Sequence, residues 1–385
     1  MPALIQPSLL RRLNERRVLE TLQKHGPASR ADVSRIAGIS PPTVSKAVAT
    51  LLESGYLEET DAVATAFGRP AKLLRLATDQ VHVIGIVLDT SKCSIVSAGL
   101  DGSIDWNTEE EIQTPDNYDD LIIAIGDRVT RLINGRAGFI GIGISVPGLV
   151  DHRQQKCLLS PNLHMIDGQS PALDLTERLE IEAILLQESQ ALCLEERLFG
   201  NAKGLNNFAL LDVSTGLGLG VMTGGRLLEG HSGLAGELGH ITVDISGRMC
   251  GCGNRGCLET VATDTAFAKA VSEKLGRQCN IEQALQIVQT GDPEVLAILD
   301  KTCEYLAIAM AAVINILNPE TLLIHGKILD AQEDLFAKII ELTGKRTLKP
   351  SFKDCHIIRA KGGKKQGAIA GVIHHLTSSL APALN

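Results

Sequence analysis

"NFALLDVSTGLGLGVMTGGRLLEG", residues 207–230, is an apolar run, a glycine-rich turn, a second apolar run and a turn opened by paired glycines. It reads as strand, turn, strand. The plan also occurs earlier, in "VHVIGIVLDTSKCSIVSAGLDGSI", residues 81–104, and helix-forming sequence follows each copy. Two copies of one strand–turn–strand unit predict a two-lobed α/β body, and ligands of such bodies sit in the cleft between the lobes.

At 385 residues, two or three domains are expected. A composition of 44% hydrophobic and 21% charged residues is that of a soluble globular chain. No apolar run approaches the roughly 20 residues that span a bilayer, so no membrane insertion is expected. The start, "MPALIQPSLLRRLNERR", lacks the apolar core and small-residue cleavage site of a secretory signal. Nine cysteines, scattered apart from one cluster, suit a reducing cytoplasm better than a disulfide framework. Charge is uneven: residues 1–76 hold 11 Lys+Arg against 7 Asp+Glu, a balance of +4, while the whole chain is −8, which leaves −12 for the rest. A small basic module on a large acidic body is the charge pattern of a DNA reader with a separate sensor.

The basic module reads as three helices. In "LLRRLNERRVLETLQKH" (9–25), Leu9, Leu10, Leu13, Val18, Leu19 and Leu22 make an apolar stripe, and Gly26 and Pro27 end the helix. Ser29 caps the next helix, Val33 and Ile36 face inward, and Gly38 stops it. Ser40 caps the third, Pro41 occupies its first position, and Val44, Val48, Leu51 and Leu52 form its buried face. Its other face offers Pro42, Thr43, Ser45, Lys46 and Ala49. Two short helices joined by a glycine-containing turn form a helix-turn-helix whose second helix enters the major groove. "GYLEE" and "AKLLRLA" read as wing strands, with Arg69 at the tip placed for the minor groove. The expected DNA contacts are Ser40, Thr43, Ser45, Lys46 and Arg69. A three-helix dimerisation or docking module is the alternative.

A second stretch, "GHITVDISGRMCGCGNRGCLE" (239–259), gathers His240, Cys250, Cys252 and Cys257. Its Cys-x-Cys-x4-Cys spacing is not that of a DNA-binding finger, and no basic recognition helix follows. One His and three Cys close a tetrahedral shell around Zn2+ with no position left for an activated water, so the expected ion is structural. Three reduced, unliganded cysteines are the other reading.

"ISVPGLVD" (144–151), "STGLGLG" (214–220), "GELGHITV" (236–243), "CGCGNRGCLE" (250–259) and "NPETLLIHG" (318–326) resemble, in order and spacing, the motifs of the ROK family. That family groups bacterial sugar kinases with sugar-responsive repressors, and only the repressors carry a winged helix-turn-helix. The resemblance implies an actin-like (ribonuclease H-like) two-lobed body after the winged helix-turn-helix, an α/β chain overall. The expected domains are a DNA-binding domain over 1–80, a first lobe over 81–190 with helix 365–380 packing back, and a second lobe over 191–364 with the zinc site and an oligomerisation surface.

The resemblance also exposes departures from the kinases. Where they read Asp-x-Gly-Gly-Thr-Lys, this chain has Val87-Leu88-Asp89-Thr90-Ser91-Lys92. Glycines let a backbone approach phosphates, and a carboxylate there repels them. Their Asn-Asp-Ala-Asn, whose Asp is the catalytic base, becomes Gln187-Glu188-Ser189-Gln190. A shift of about 1 Å at a reacting group costs ~10²-fold in rate, so no catalytic residue is expected although Glu188 holds the base position. By resemblance the effector contacts are Asn162, Glu188, Glu237, His240 and Glu259, with His240 giving one nitrogen to zinc and the other to the sugar. The aromatic wall of the kinases' Asn-Leu-x-Gly-Trp is missing from Asn162-Leu163-His164-Met165-Ile166.

The combined expectation is a cytoplasmic repressor of carbohydrate genes, a homodimer or tetramer. Its partners would be double-stranded operator DNA and a small sugar or sugar phosphate. A sugar kinase with an added DNA-binding module, and a regulator controlled by a sugar-transport protein, are the alternatives.

Overall fold

A computed structural model describes residues 7–61, 72–136 and 138–379. The chain opens with three helices, α1 (Pro7–His25), α2 (Arg30–Ala37) and α3 (Pro41–Glu53), then the antiparallel pair β1 (Leu57–Asp61) and β2 (Lys72–Leu76). Local chemistry explains each boundary. The Ser29 hydroxyl accepts from Asp32 N at the start of α2, and Gly38 ends that helix in the left-handed region at φ 64. Val18, Leu19, Leu22, Val33, Val44, Val48 and Leu51 are buried together. Some side chains depart from expectation: Leu10 is 46% and Ile36 38% exposed, and Leu13 and Leu52 are half-buried while Ala47 takes a core position. In an eight-residue helix such as α2 there are too few turns for periodicity to fix which apolar residue faces in. The wing tip with Arg69 lies outside the described residues.

The body continues with β3 (His82–Val87), β4 (Lys92–Gly99), β5 (Ile104–Gln113), α4 (Tyr118–Ile133) and β6 (Phe139–Val146). The short strands β7 (Leu149–Asp151) and β8 (Lys156–Leu159), α5 (Pro171–Leu179), β9 (Ala183–Gln187) and α6 (Glu188–Leu198) follow. Next come β10 (Phe208–Asp212), β11 (Gly218–Thr223), β12 (Arg226–Leu227), α7 (Asp264–Leu275), α8 (Ile281–Val288) and α9 (Pro293–Leu317). The chain then runs through β13 (Thr321–His325), α10 (Leu335–Gly344), α11 (Lys349–Asp354), β14 (His356–Arg359) and α12 (Lys364–Ser379).

These elements build two five-stranded sheets of one design, in the orders β5-β4-β3-β6-β9 and β12-β11-β10-β13-β14. In each, the first hairpin is extended on one side by a third antiparallel strand, and its first strand pairs in parallel with the fourth on the other. The duplicated hairpins of the sequence are therefore equivalent parts of duplicated sheets.

The chain divides into two compact units: residues 1–146, 170–186 and 363–385, and residues 147–169 and 187–362. The sequence-based boundaries at 80 and 190 differ from this division. Residues 147–169 pack with the second sheet, and the helix-turn-helix clusters with the first. In the first unit, α12 lies so close to the sheet that a Cβ on Gly143 would fall 2.1 Å from Ala368 O. In the second unit, α9 buries Leu299, Leu306, Met310 and Val313 among Leu211, Leu322 and Ile324 of the sheet. No helix among the described residues is long and apolar enough to cross a membrane.

Candidate functional site

The residues expected to hold the metal and the effector all belong to the second unit. Residues 241–259 form a compact loop in which backbone pairing, not regular secondary structure, sets the positions. Val243 N donates to Gly256 O at 2.8 Å, Gly256 N to Arg248 O at 2.7 Å, and Cys250 N to Asn254 O at 2.8 Å. Gly256 has φ 71, and a Cβ there would overlap Asp244 O, so only glycine allows the fold-back that brings Cys257 to the other cysteines.

The loop brings together the ligand atoms of His240, Cys250, Cys252 and Cys257, all within 4.8 Å of one another. Zn–S bonds of about 2.3 Å and Zn–N bonds of about 2.0–2.1 Å place tetrahedral ligands about 3.8 Å (S to S) and about 3.6 Å (S to N) apart. Cys252 Sγ and Cys257 Sγ are 3.7 Å apart, and Cys250 Sγ is 3.7 Å from His240 Nδ1. The donor set thus fits a tetrahedral thiophilic cation. Burial, then the hydrogen bond to Glu259, push the Cys250 thiol up; an ion would supply the charge that holds it as a thiolate.

His240 presents its two nitrogens to different groups. Nδ1 faces Cys250, and Nε2 lies 3.6 Å from Glu237 Oε2. Glu237 Oε1 accepts from Gln187 Nε2 at 2.8 Å, and burial pushes its carboxyl above the usual range. Glu259, two residues after Cys257, accepts from the Cys250 thiol at 2.9 Å through Oε1. Its Oε2 and the Asn162 amide both face Gly216 of the Gly-rich turn. Pro161, which precedes Asn162, packs on the cysteine loop, since a Cβ on Gly251 would fall 2.3 Å from Pro161 O. Asn162, Glu237, His240 and Glu259 therefore gather around the cysteine loop, while Glu188 opens α6 beside Gln187. Sequence reasoning missed Gln187 as Glu237's partner and the contact of Gly251 with Pro161. Both are long-range pairings that leave no periodic or motif signal.

Ile166, where the resemblance leads one to expect an aromatic residue, is fully buried at the end of a single 3-10 turn. Asp167 holds that turn, accepting from Ser160 N at 2.5 Å and bonding His164 Nδ1 at 2.9 Å.

On the helix-turn-helix, Ser45 and Lys46 are exposed on α3 and Thr43 is half-buried. Ser40 occupies the cap position, but its hydroxyl bonds Thr43 Oγ1 at 2.8 Å instead of a backbone N–H. Both hydroxyls sit at the N-terminal end of α3, the end that a recognition helix directs at base edges.

Comparison with known proteins follows the same division. A winged helix-turn-helix DNA-binding profile matches residues 11–58. The chain is 28% identical over 365 residues to a xylose repressor of Bacillus spizizenii, covering 94% of each chain. It is 27% identical over 367 residues to the N-acetylglucosamine repressor of Escherichia coli O157:H7, covering 92% of this chain and 90% of that one. A solved ROK family transcriptional regulator, described as a homologue of the E. coli MLC protein, superposes with TM-score 0.82 at 26% identity, over 96% of this chain and 98% of that one. The ROK family profile itself runs along residues 84–375, both duplicated sheets included, and on that match the chain belongs to the ROK family.

Proposed function

We propose that the protein is a sugar-responsive, DNA-binding transcriptional repressor of carbohydrate genes, working as a homodimer or tetramer on paired operator half-sites. The observation that carries this reading is one chain joining a helix-turn-helix to a ROK family body and aligning along nearly its whole length with sugar repressors. In this account residues 1–80 read DNA, with Ser40, Thr43, Ser45, Lys46 and Arg69 at the interface.

The effector is an uncharged monosaccharide. The wall residues Asn162, Glu188, Glu237, His240 and Glu259 include three carboxylates and no lysine or arginine. Carboxylates accept hydroxyl protons and repel a phosphate, so the lining favours a free sugar over a sugar phosphate. Zn2+ is the ion that suits the three-thiolate, one-imidazole set, and its role is to fix the walls.

The same reading makes the protein a binder and not a phosphotransferase. Asp89 stands in the first hairpin turn, where Lys364 Nζ lies 3.0 Å from its Oδ2 and Thr90 N donates to Oδ1 at 2.6 Å. A carboxylate engaged by the chain's own cation supports a turn that no longer receives a polyphosphate.

The test is retardation of the gene's own upstream DNA by the full chain, titrated with xylose, glucose, N-acetylglucosamine and their phosphates, beside a coupled ATP assay. The expected result is salt-sensitive retardation relieved by one uncharged sugar, without turnover near the ~1 s⁻¹ of slow enzymes. Sugar-dependent ATP turnover at such rates, or indifference to the upstream DNA, overturns the proposal.

A further inference from the structure

The glycines of residues 214–220 have two different physical reasons to be glycine. Gly218 and Gly220 lie on β11 beneath α6. A Cβ at 218 would fall 2.8 Å from Ser189 Cβ, and one at 220 would fall 2.4 Å from Ser189 O and 2.7 Å from Cys193 Cβ. Close packing of helix on strand accounts for both, with no ligand required.

Gly216 is different. It lies in the turn between β10 and β11, and its φ is not in the left-handed region, so its backbone suits any L-residue. No core atom crowds it. The heavy atoms that a Cβ would meet within 4 Å are Glu259 Oε2 at 3.2 Å and Asn162 Nδ2 at 3.4 Å. The atoms that a side chain at 216 would disturb are thus a carboxylate acceptor and an amide donor, both from the effector wall.

We infer that Gly216 is a specificity-determining residue of the effector pocket. Its missing side chain leaves open the slot between Asn162 and Glu259, where one ring hydroxyl donates to the carboxylate and accepts from the amide. This rests on the effector-pocket reading above. A methyl at 216 fills the slot with a group that neither donates nor accepts, and strips water from the carboxylate. Glu259 has little room to retreat. Its backbone follows Cys257 directly into a 3-10 turn, its carbonyl accepts from Thr263 Oγ1 at 3.1 Å, and its Oε1 is engaged by Cys250. Each glycine of residues 214–220 then has a physical reason: helix packing explains two and a sugar hydroxyl the third.

The experiment is calorimetric titration of xylose, glucose and N-acetylglucosamine into the full chain and its Gly216→Ala variant, with melting temperature and zinc content measured on both. Monodeoxy analogues of whichever sugar binds are titrated into the unaltered chain. The expected result is a roughly 10- to 100-fold weaker sugar in Gly216→Ala at unchanged zinc content and melting temperature. One monodeoxy analogue should bind the unaltered chain as weakly as the intact sugar binds the variant. Equal affinity of both proteins overturns the inference and leaves the effector reading standing. So does a deoxy series in which no single hydroxyl matters, a readout independent of whether the variant folds. Failure of the unaltered chain to bind any of these sugars removes both together.

Discussion

His240 joins two chemistries through one ring. Nδ1 belongs to the cysteine set and Nε2 faces Glu237. An ion bound at Nδ1 fixes the tautomer, so Nε2 carries the proton and donates. Among the described residues Cys252 Sγ contacts cysteines of the candidate metal set and no expected effector residue, which makes Cys252→Ser the cleaner probe. Metal content should fall from about one ion per chain toward zero, and stability by a few kcal/mol, measured by elemental analysis and denaturant unfolding. Unchanged metal content would show that the cysteines are not ligands. A second residue-scale expectation concerns Glu195 of α6, only 3% exposed, whose Oε2 lies against Gly362. Burial first, then the neighbouring Glu196, push its carboxyl up to about 8, while His325 and Lys361 pull it down. Folded Glu195 therefore holds its proton more tightly than the unfolded residue, whose value is 4.5. Its contribution is fully present below the unfolded value and is lost as pH rises through the folded one, at up to about 1.4 kcal/mol per pH unit. Unfolding free energies between pH 5 and 8 should show that slope in the unaltered protein and lose it in Glu195→Gln. A slope surviving in the variant would assign it to other groups.

At the scale of elements, α3 carries the DNA prediction. Lys46 is exposed on the face away from Val44, Val48 and Leu51, so its removal costs the fold little. Lys46→Ala should weaken binding to all sequences alike and reduce the salt dependence by about one counterion, as a phosphate contact does. Loss confined to particular base substitutions would make Lys46 a base reader instead. Much of this module was legible in the sequence, because capping serine, left-handed glycine and first-turn proline are local signals. What was not legible is three-dimensional. Leu10 lies in the first turn of α1 and is exposed, and Ile36 lies on a helix of eight residues, so neither can be assigned to the core without its neighbours. The cysteine loop shows the same division. The candidate ligand set follows from residue type and spacing, but the contact of Pro161 with Gly251 and of Glu237 with Gln187 joins segments far apart in the chain.

For the whole molecule, the duplicated hairpins announced the two sheets, and both have the strand order such duplication requires. The division of the chain between them was harder to foresee. Nothing in the composition of residues 147–169 says that they pack with the second unit, since that choice is made by contacts with residues 187–362. The consequence is that Asn162 joins Glu237, His240 and Glu259 in one unit, so that the proposed effector wall and the cysteine loop share a single structure. In the proposed function metal, sugar and operator would be linked: the ion would hold the walls, the walls would select the sugar, and the sugar would shift the reader through its different affinities for the DNA-bound and free states. The first link is the central claim, and one measurement reaches it directly. The effector sugar is titrated calorimetrically into the full chain as purified, after chelation, and after Zn2+ is restored. The account expects affinity to fall at least about tenfold on metal removal and to return with zinc. Equal affinity with and without the ion would contradict it.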